Sequence, residues 1–315
     1  MFKTIEPFSC GYLPVSDENE IYWETSGNPK GKPALYLHGG PGGGISGGYR
    51  RHFDPEKFLI VGFEQRGCGR SRPNVMEDLS RLSANTTQKL IDDIEKLRQL
   101  FNVESWLIYG CSWGVTLAIA YAQAFPNRVS GLVLMAVNTT TTSEVEWITE
   151  GVRQTFPNEW EKFKEASHAL PGERLVDAYY RRMTSSNSED RDQAARAWCE
   201  WEDVHVSLDP KWQSHPLFKD PKFYRPFATL VTHYWKYSGF LKDQLLGNMK
   251  AISHIPGVLI HGRLDVSSPL KTAIELHQNW SGSELIVIDQ EGHGGEIMSN
   301  EVTKAVERLY FPNPN

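Results

Sequence analysis

The sequence predicts an α/β fold: a mostly parallel central sheet with an all-helical segment inserted in it. Three observations predict it. Short apolar runs alternate with helical patterns through the first part of the chain. Those runs lack the inside–outside alternation of a half-exposed strand, so they suit a sheet covered on both faces. The rhythm stops after Asn138, gives way to helical segments, and returns near residue 236. The expected organisation is one α/β domain made of residues 1–138 and 236–315, with residues 139–235 inserted as a helical cap.

The elements follow in order. Ala34–Leu37 and Phe58–Phe63 are the first two strand-like runs, each ending in a glycine-rich turn. Thr86 and Thr87 offer helix N-caps. Beyond them Leu90, Ile91, Ile94, Leu97, Leu100 and Phe101 recur at helical spacing, with Asp92, Asp93, Glu95 and Lys96 on the other face. Trp106–Tyr109 is a third strand, Val115–Phe125 a helix and Val129–Val137 a fourth strand. The inserted stretch is rich in Trp, Glu, Arg and Tyr, with helices expected at Glu173–Met183 and Arg191–Asp203. Gly257–Ile260 and Leu285–Ile288 read as strands, and Leu270–Trp280 and Glu296–Tyr310 as helices.

Composition narrows the function classes. The chain has 315 residues, 40% hydrophobic and 23% charged, which is enough to bury a full core without disulfides. Its 33 basic and 39 acidic residues give a net charge of −6, so a nucleic-acid surface or polybasic membrane patch is not expected. Nothing approaches the run of roughly 18 apolar residues of a membrane span. Cys10, Cys68, Cys111 and Cys199 form no CxxC pair, and Met1–Cys10 has no signal-peptide character. The expected location is the cytoplasm. No metal-ligand cluster or cofactor motif is apparent.

The chemistry is carried by Gly110-Cys111-Ser112-Trp113-Gly114, a G-x-S-x-G placed between a strand and a helix. A serine on so sharp a turn projects its hydroxyl above the sheet, and only small flanking residues let the chain bend there. The following helix points its first N–H groups at the site, which favours developing negative charge. Such a serine needs a base and an acid, in the order Ser, Asp or Glu, His. His293, in a glycine-flanked loop after the last strand, is the expected base. Asp265, after strand Gly257–Ile260, is the expected acid; Asp289 is a weaker rival. His261 reads as a packed core histidine, and His205, His215 and His233 fall in the inserted region. The loop His38-Gly39-Gly40-Pro41-Gly42-Gly43-Gly44 lacks the Lys-Ser/Thr ending of a phosphate loop. Beside a serine elbow, its expected role is to supply an oxyanion N–H from Gly40, with a second from Trp113.

Together, the HGGPGGG loop, Glu64-Gln65-Arg66-Gly67-Cys68-Gly69-Arg70-Ser71, the serine elbow and His261-Gly262-Arg263-Leu264-Asp265 resemble the proline iminopeptidases, serine peptidases of the α/β-hydrolase fold. The resemblance runs along nearly the whole chain. It implies Ser112, Asp265 and His293 as a catalytic triad and an enzyme that releases an N-terminal proline or another small residue from a peptide or amide. It also implies that Glu202, in Trp198-Cys199-Glu200-Trp201-Glu202, binds the substrate's free amine. Four departures stand out. Val231 occupies the place of a second family glutamate, two residues before His233-Tyr234. Asn138 occupies the place of an aromatic residue that packs on the proline ring. Glu64 replaces an aspartate, and Cys111 a glycine or other small residue. Glu146 or Glu150 could replace the missing carboxylate. The alternatives are a divergent esterase, amidase or acyl-transfer enzyme, and a non-catalytic ligand-binding protein of the same fold.

Overall fold

The computed structural model describes residues 1–206, 208, 213–241 and 245–310. Among these residues, eight strands form one sheet in the order β1-β2-β4-β3-β5-β6-β7-β8. They are β1 (Ser9–Pro14), β2 (Glu20–Gly27), β3 (Lys32–Leu37), β4 (Phe58–Phe63), β5 (Trp106–Cys111), β6 (Val129–Met135), β7 (Gly257–Gly262) and β8 (Ser283–Ile288). From β4 through β8 every pairing is parallel, while β2 runs antiparallel to both its neighbours. The α/β-hydrolase fold expected from the sequence is the fold observed.

Six expected strands are present, each within a few residues of its apolar run. The β1–β2 hairpin is the element that the apolar runs do not announce. β1 is an edge strand with alternating exposure, so it carries too few apolar residues to stand out.

The pleat divides the core in two. Leu35, Leu37, Val61, Phe63, Ile108, Leu132, Leu134 and Leu259 face one side. There they meet α1 (Thr87–Leu100), α2 (Trp113–Ala124) and α8 (Leu270–Gln278). Ala34, Phe58, Ile60, Leu107, Tyr109, Val133, Val258 and Ile260 face the other side and meet α9 (Glu296–Tyr310). Period-two alternation is thus present, but both faces are apolar, and this produces the continuous runs. Thr86 caps α1 by accepting from the Lys89 N–H.

Between β6 and β7 lie α3 (Thr142–Thr149), α4 (Pro157–Ser167), α5 (Leu175–Met183), α6 (Ser188–His205) and α7 (Pro221–Lys236). They bury a separate apolar core around Trp160, Phe163, Tyr179, Trp198 and Trp201. This layer touches the sheet domain where the strands end. The Trp147 indole donates to Val266 O at 2.7 Å. On α7, Phe227 and Leu230 lie where side chains on Gly40 and Gly42 would have to go. Among the described residues, no helix is long and apolar enough to cross a membrane.

Candidate active site

The candidate residues meet at the carboxyl ends of the parallel strands, where open α/β sheets bind their ligands. Ser112 follows β5, Asn138 follows β6, Asp265 follows β7, His293 follows β8, and Gly39 and Gly40 follow β3.

Ser112 sits at φ 55°, ψ −123°, a strained conformation for a residue with a side chain. The turn is packed on all sides. A Cβ at Gly110 would lie 2.5 Å from Gly114 O, and one at Gly114 would lie 2.1 Å from Leu37 O. Glycine is required at both positions by backbone contact, which is the physical content of the G-x-S-x-G spacing. α2 is buried along nearly its whole length, so the elbow rests on a rigid element.

Ser112 Oγ lies 2.9 Å from His293 Nε2, and His293 Nδ1 lies 2.8 Å from Asp265 Oδ2. The other Asp265 oxygen accepts from Ser267 Oγ and from the Ser268 N–H, each at 2.9 Å. Burial opposes ionisation of Asp265, but the charge and hydrogen bond of His293 outweigh it and hold the carboxyl below its usual range. Burial likewise disfavours the imidazolium of His293, yet Asp265 raises its pKa above the ordinary histidine value. A hydroxyl, an imidazole and an ionised carboxylate in this order can pass the serine proton to Nε2 while Asp265 stabilises the resulting charge.

The rivals have other hydrogen-bond partners, although His261 Nε2 also lies 3.9 Å from Asp265 Oδ2. Asp289 pairs with Arg263 at 2.5 Å. His261 is fully buried, accepting from the Val137 N–H at Nδ1 and facing Ser268 O at 2.7 Å through Nε2. It is the packed histidine that its context suggests.

The glycine loop runs beside the serine. A Cβ at Gly39 would come within 3.1 Å of Ser112 Cβ, and Gly40 holds φ +114°. The Trp113 N–H is the first of α2, where an intrahelical acceptor is absent by construction. Gln65 ties the two segments together. It accepts from Trp113 Nε1 at 3.0 Å and donates to His38 O at 3.0 Å. Its backbone N–H donates to His38 Nε2 at 3.1 Å, so His38 keeps its proton on Nδ1, toward Gly39 O.

A cavity of about 320 Å³ opens over Ser112. Its upper wall is aromatic, with Phe218, Phe223 and Phe227 stacked or tilted at centroid distances of 5.3 to 6.0 Å. Among the described residues its acids are Glu144, Glu202 and Asp203. Glu202 accepts from Trp198 Nε1 at 3.0 Å, and burial raises its pKa to about 7. It stands near enough to His293 for each to influence the ionisation of the other. Glu146 and Glu150 are not among the lining residues; Glu144 is, but it serves as the capping-box residue of α3. Val231 is wholly buried in the core of the inserted helices. Asn138 puts a polar amide where the family pattern has a ring, its Nδ2 3.5 Å from Ser112 Oγ and its Oδ1 held by Thr116 at 2.8 Å.

Sequence reasoning assigns no role to Gln65, Ser267 or His205. Gln65 acts through hydrogen bonds between loops distant in sequence, and Ser267 Oγ, besides its bond to Asp265, lies 3.1 Å from His293 Nδ1 on another loop; no local pattern announces either contact. His205 does carry a signal: it follows Glu202 by three residues on one helix, so both share a face.

Comparisons with known proteins identify the fold and the family. Residues 32–295 match the family model described as alpha/beta hydrolase fold. A probable proline iminopeptidase of Leptolyngbya boryana is 43% identical over 298 residues, covering 93% of this chain and 91% of that one. The proline iminopeptidase of Arabidopsis thaliana is 40% identical, covering 97% of this chain and 82% of that one. Among solved structures, an esterase from Exiguobacterium antarcticum superposes with a TM-score of 0.64 at 20% identity, covering 95% of this chain and 98% of that one, a likeness of fold. On the strength of the two relatives and the family match, this chain is a hydrolase and belongs to the proline iminopeptidase family of the α/β-hydrolase fold.

Proposed function

We propose that this enzyme is a serine aminopeptidase that releases an N-terminal proline from small peptides or amides through an acyl-enzyme on Ser112. The observation that carries the reading is the Ser112–His293–Asp265 chain at 2.9 and 2.8 Å, opening into a cavity that also holds Glu202.

His293 Nε2 takes the Ser112 proton as Oγ attacks the carbonyl carbon of the terminal proline. The backbone N–H groups of Gly40 and Trp113 receive the oxyanion. Collapse breaks the C–N bond, and the leaving amine takes the proton back from His293. Water, deprotonated by the same nitrogen, then cleaves the prolyl ester and restores Ser112. Glu202 holds the protonated ring nitrogen of the substrate, a charge-assisted contact in a partly desolvated pocket. Residues 139–235 act as the cap that encloses this chamber, and the aromatic wall receives the leaving side. All four cysteines are free thiols, which suits a cytoplasmic enzyme.

A second reading, an esterase or amidase without amine selection, draws on Val231 and Asn138. The test is a side-by-side assay of proline, alanine and simple acyl derivatives of one chromophore, with a fluorophosphonate to label Ser112. The aminopeptidase reading expects the proline derivative to be preferred. Turnover of esters with none of any free-amine substrate overturns it. Absence of labelling on folded protein overturns catalysis by Ser112.

A further inference from the structure

Loss of a carboxylate at position 231 leaves a question of atoms. The protonated nitrogen of an N-terminal proline carries two hydrogens, and each needs an acceptor once the substrate is enclosed. Most acceptors around the cavity already hold donors. Glu144 receives the N–H and hydroxyl groups of Thr139 and Thr141. Asp203 receives Ser214 Oγ and the His215 N–H. Asn138 Oδ1 receives the hydroxyls of Thr116 and Thr140. Glu202 Oε1 receives the Trp198 indole.

His205 is different. It lines the cavity and is completely buried, and neither ring nitrogen has a hydrogen-bond partner among the described residues. Its Nε2 stands 3.6 Å from Glu202 Oε2, beyond hydrogen-bond range. A buried imidazole with two unanswered nitrogens is costly unless something arrives to satisfy it. The ring packs against Trp201, with centroids 5.4 Å apart. Burial keeps it neutral, lowering its pKa to about 3, so it retains a lone pair to offer.

We propose that His205 is the second acceptor for the substrate's protonated terminal nitrogen, taking one N–H while Glu202 Oε2 takes the other. This rests on the aminopeptidase reading and deepens it. One carboxylate and one neutral imidazole replace a pair of carboxylates. Two acceptors match the two hydrogens of a secondary ammonium; a primary ammonium brings a third hydrogen. The site therefore selects the imino terminus by hydrogen-bond count, where Asn138 supplies no ring platform.

The test separates amine binding from packing. His205→Phe keeps the aromatic contact with Trp201 and removes both ring nitrogens; His205→Gln keeps an acceptor. Each is assayed on a proline chromophore derivative and on an amine-free butyrate ester of the same chromophore. A hydrogen bond to a charged group contributes about 1.5–3 kcal/mol, which converts to a 10- to 150-fold rise in KM. The expected result is that rise for His205→Phe on the proline substrate, with ester KM and kcat within twofold of wild type and partial recovery in His205→Gln. An unchanged KM for the proline substrate overturns the proposal, and so does an equal loss on both substrates. The 15N-histidine NMR spectrum of the wild-type enzyme gives a reading independent of variant folding. Titration with L-proline should move a buried neutral imidazole resonance besides that of His293, and a spectrum in which only His293 responds overturns the assignment. If wild type cleaves the ester and not the proline substrate, it is the aminopeptidase reading that fails.

Discussion

The indole of Trp113 donates to the side-chain oxygen of Gln65 at 3.0 Å, and the amide of Gln65 donates in turn to His38 O at 3.0 Å. One buried side chain thus joins the residue after Ser112 to the loop carrying Gly40, the two proposed oxyanion donors. Their spacing matters because a donor stabilises the transition state only where the oxyanion forms. Gln65→Leu removes both bonds and leaves a buried indole N–H without a partner. We expect kcat to fall by about 10- to 100-fold with KM nearly unchanged, since misplacement by an ångström costs on that order. Steady-state kinetics on a proline chromophore derivative check it. A change confined to KM would contradict the positioning role.

Gly114 tests the elbow itself. Its Cβ would stand 2.1 Å from Leu37 O, a backbone atom in the central sheet that cannot swing aside. Gly114→Ala should destabilise the fold by about 1–3 kcal/mol through overpacking and displace Ser112 from His293. Urea unfolding measures the first effect and fluorophosphonate labelling the second. A variant with wild-type midpoint and labelling rate would show that the turn tolerates a side chain.

Legibility in the sequence followed the physics of each element. β3 through β8 are packed on both faces, so their apolar runs could be read directly. β1 alternates at the sheet edge, and the inner strand β2 joins Ile21, Tyr22 and Trp23 to buried Glu24, Thr25 and Ser26, so neither left such a run. Ser112, Asp265 and His293 were legible because the turn at Gly110 and Gly114 and the order of strand ends restrict where partners can lie. Gln65 and Ser267 were not, because their roles exist only when loops from different strands meet. His205 stood in plain view three residues beyond Glu202, but a buried histidine is ordinarily satisfied. Only the structure shows that this one is not.

Asp265 offers a graded test of the hydrogen-bond chain. Asp265→Asn keeps the shape but presents an amide to His293 Nδ1, favouring the wrong tautomer. A loss in kcat on the order of 10⁴-fold is expected. Ser267→Ala removes a hydroxyl that donates to Asp265 Oδ1 at 2.9 Å and lies 3.1 Å from His293 Nδ1, and it leaves the Ser268 N–H in place. Its loss should be near 10-fold, the smaller cost of one charge-assisted bond. Equal losses in the two variants, measured on the same substrate, would mean that Ser267 acts through folding and not through the carboxylate.

The pH profile distinguishes amine recognition from the hydrolytic step. His293 must be neutral to accept the Ser112 proton, and its pKa lies above the ordinary histidine value. Hydrolysis therefore rises as pH rises through that pKa and is lost below it. Glu202 must be ionised to hold an ammonium, and burial places its pKa at about 7. For a proline substrate, both groups have to lose a proton before the productive form exists. The acid limb of log kcat/KM, which reports the free enzyme, should approach a slope of two. For an amine-free ester only His293 is required, and the slope should be one. Glu202→Gln should cut kcat/KM for the proline substrate by about 100-fold, within the 2–5 kcal/mol typical of losing one partner of a buried charge pair. The same variant removes a negative charge that favours the His293 imidazolium. Its ester profile should consequently move to lower pH, making the variant faster than wild type on esters near pH 7, where a substantial share of wild-type Glu202 is ionised. An ester profile that stays in place, or moves up, would show that Glu202 and His293 do not share the cavity in solution.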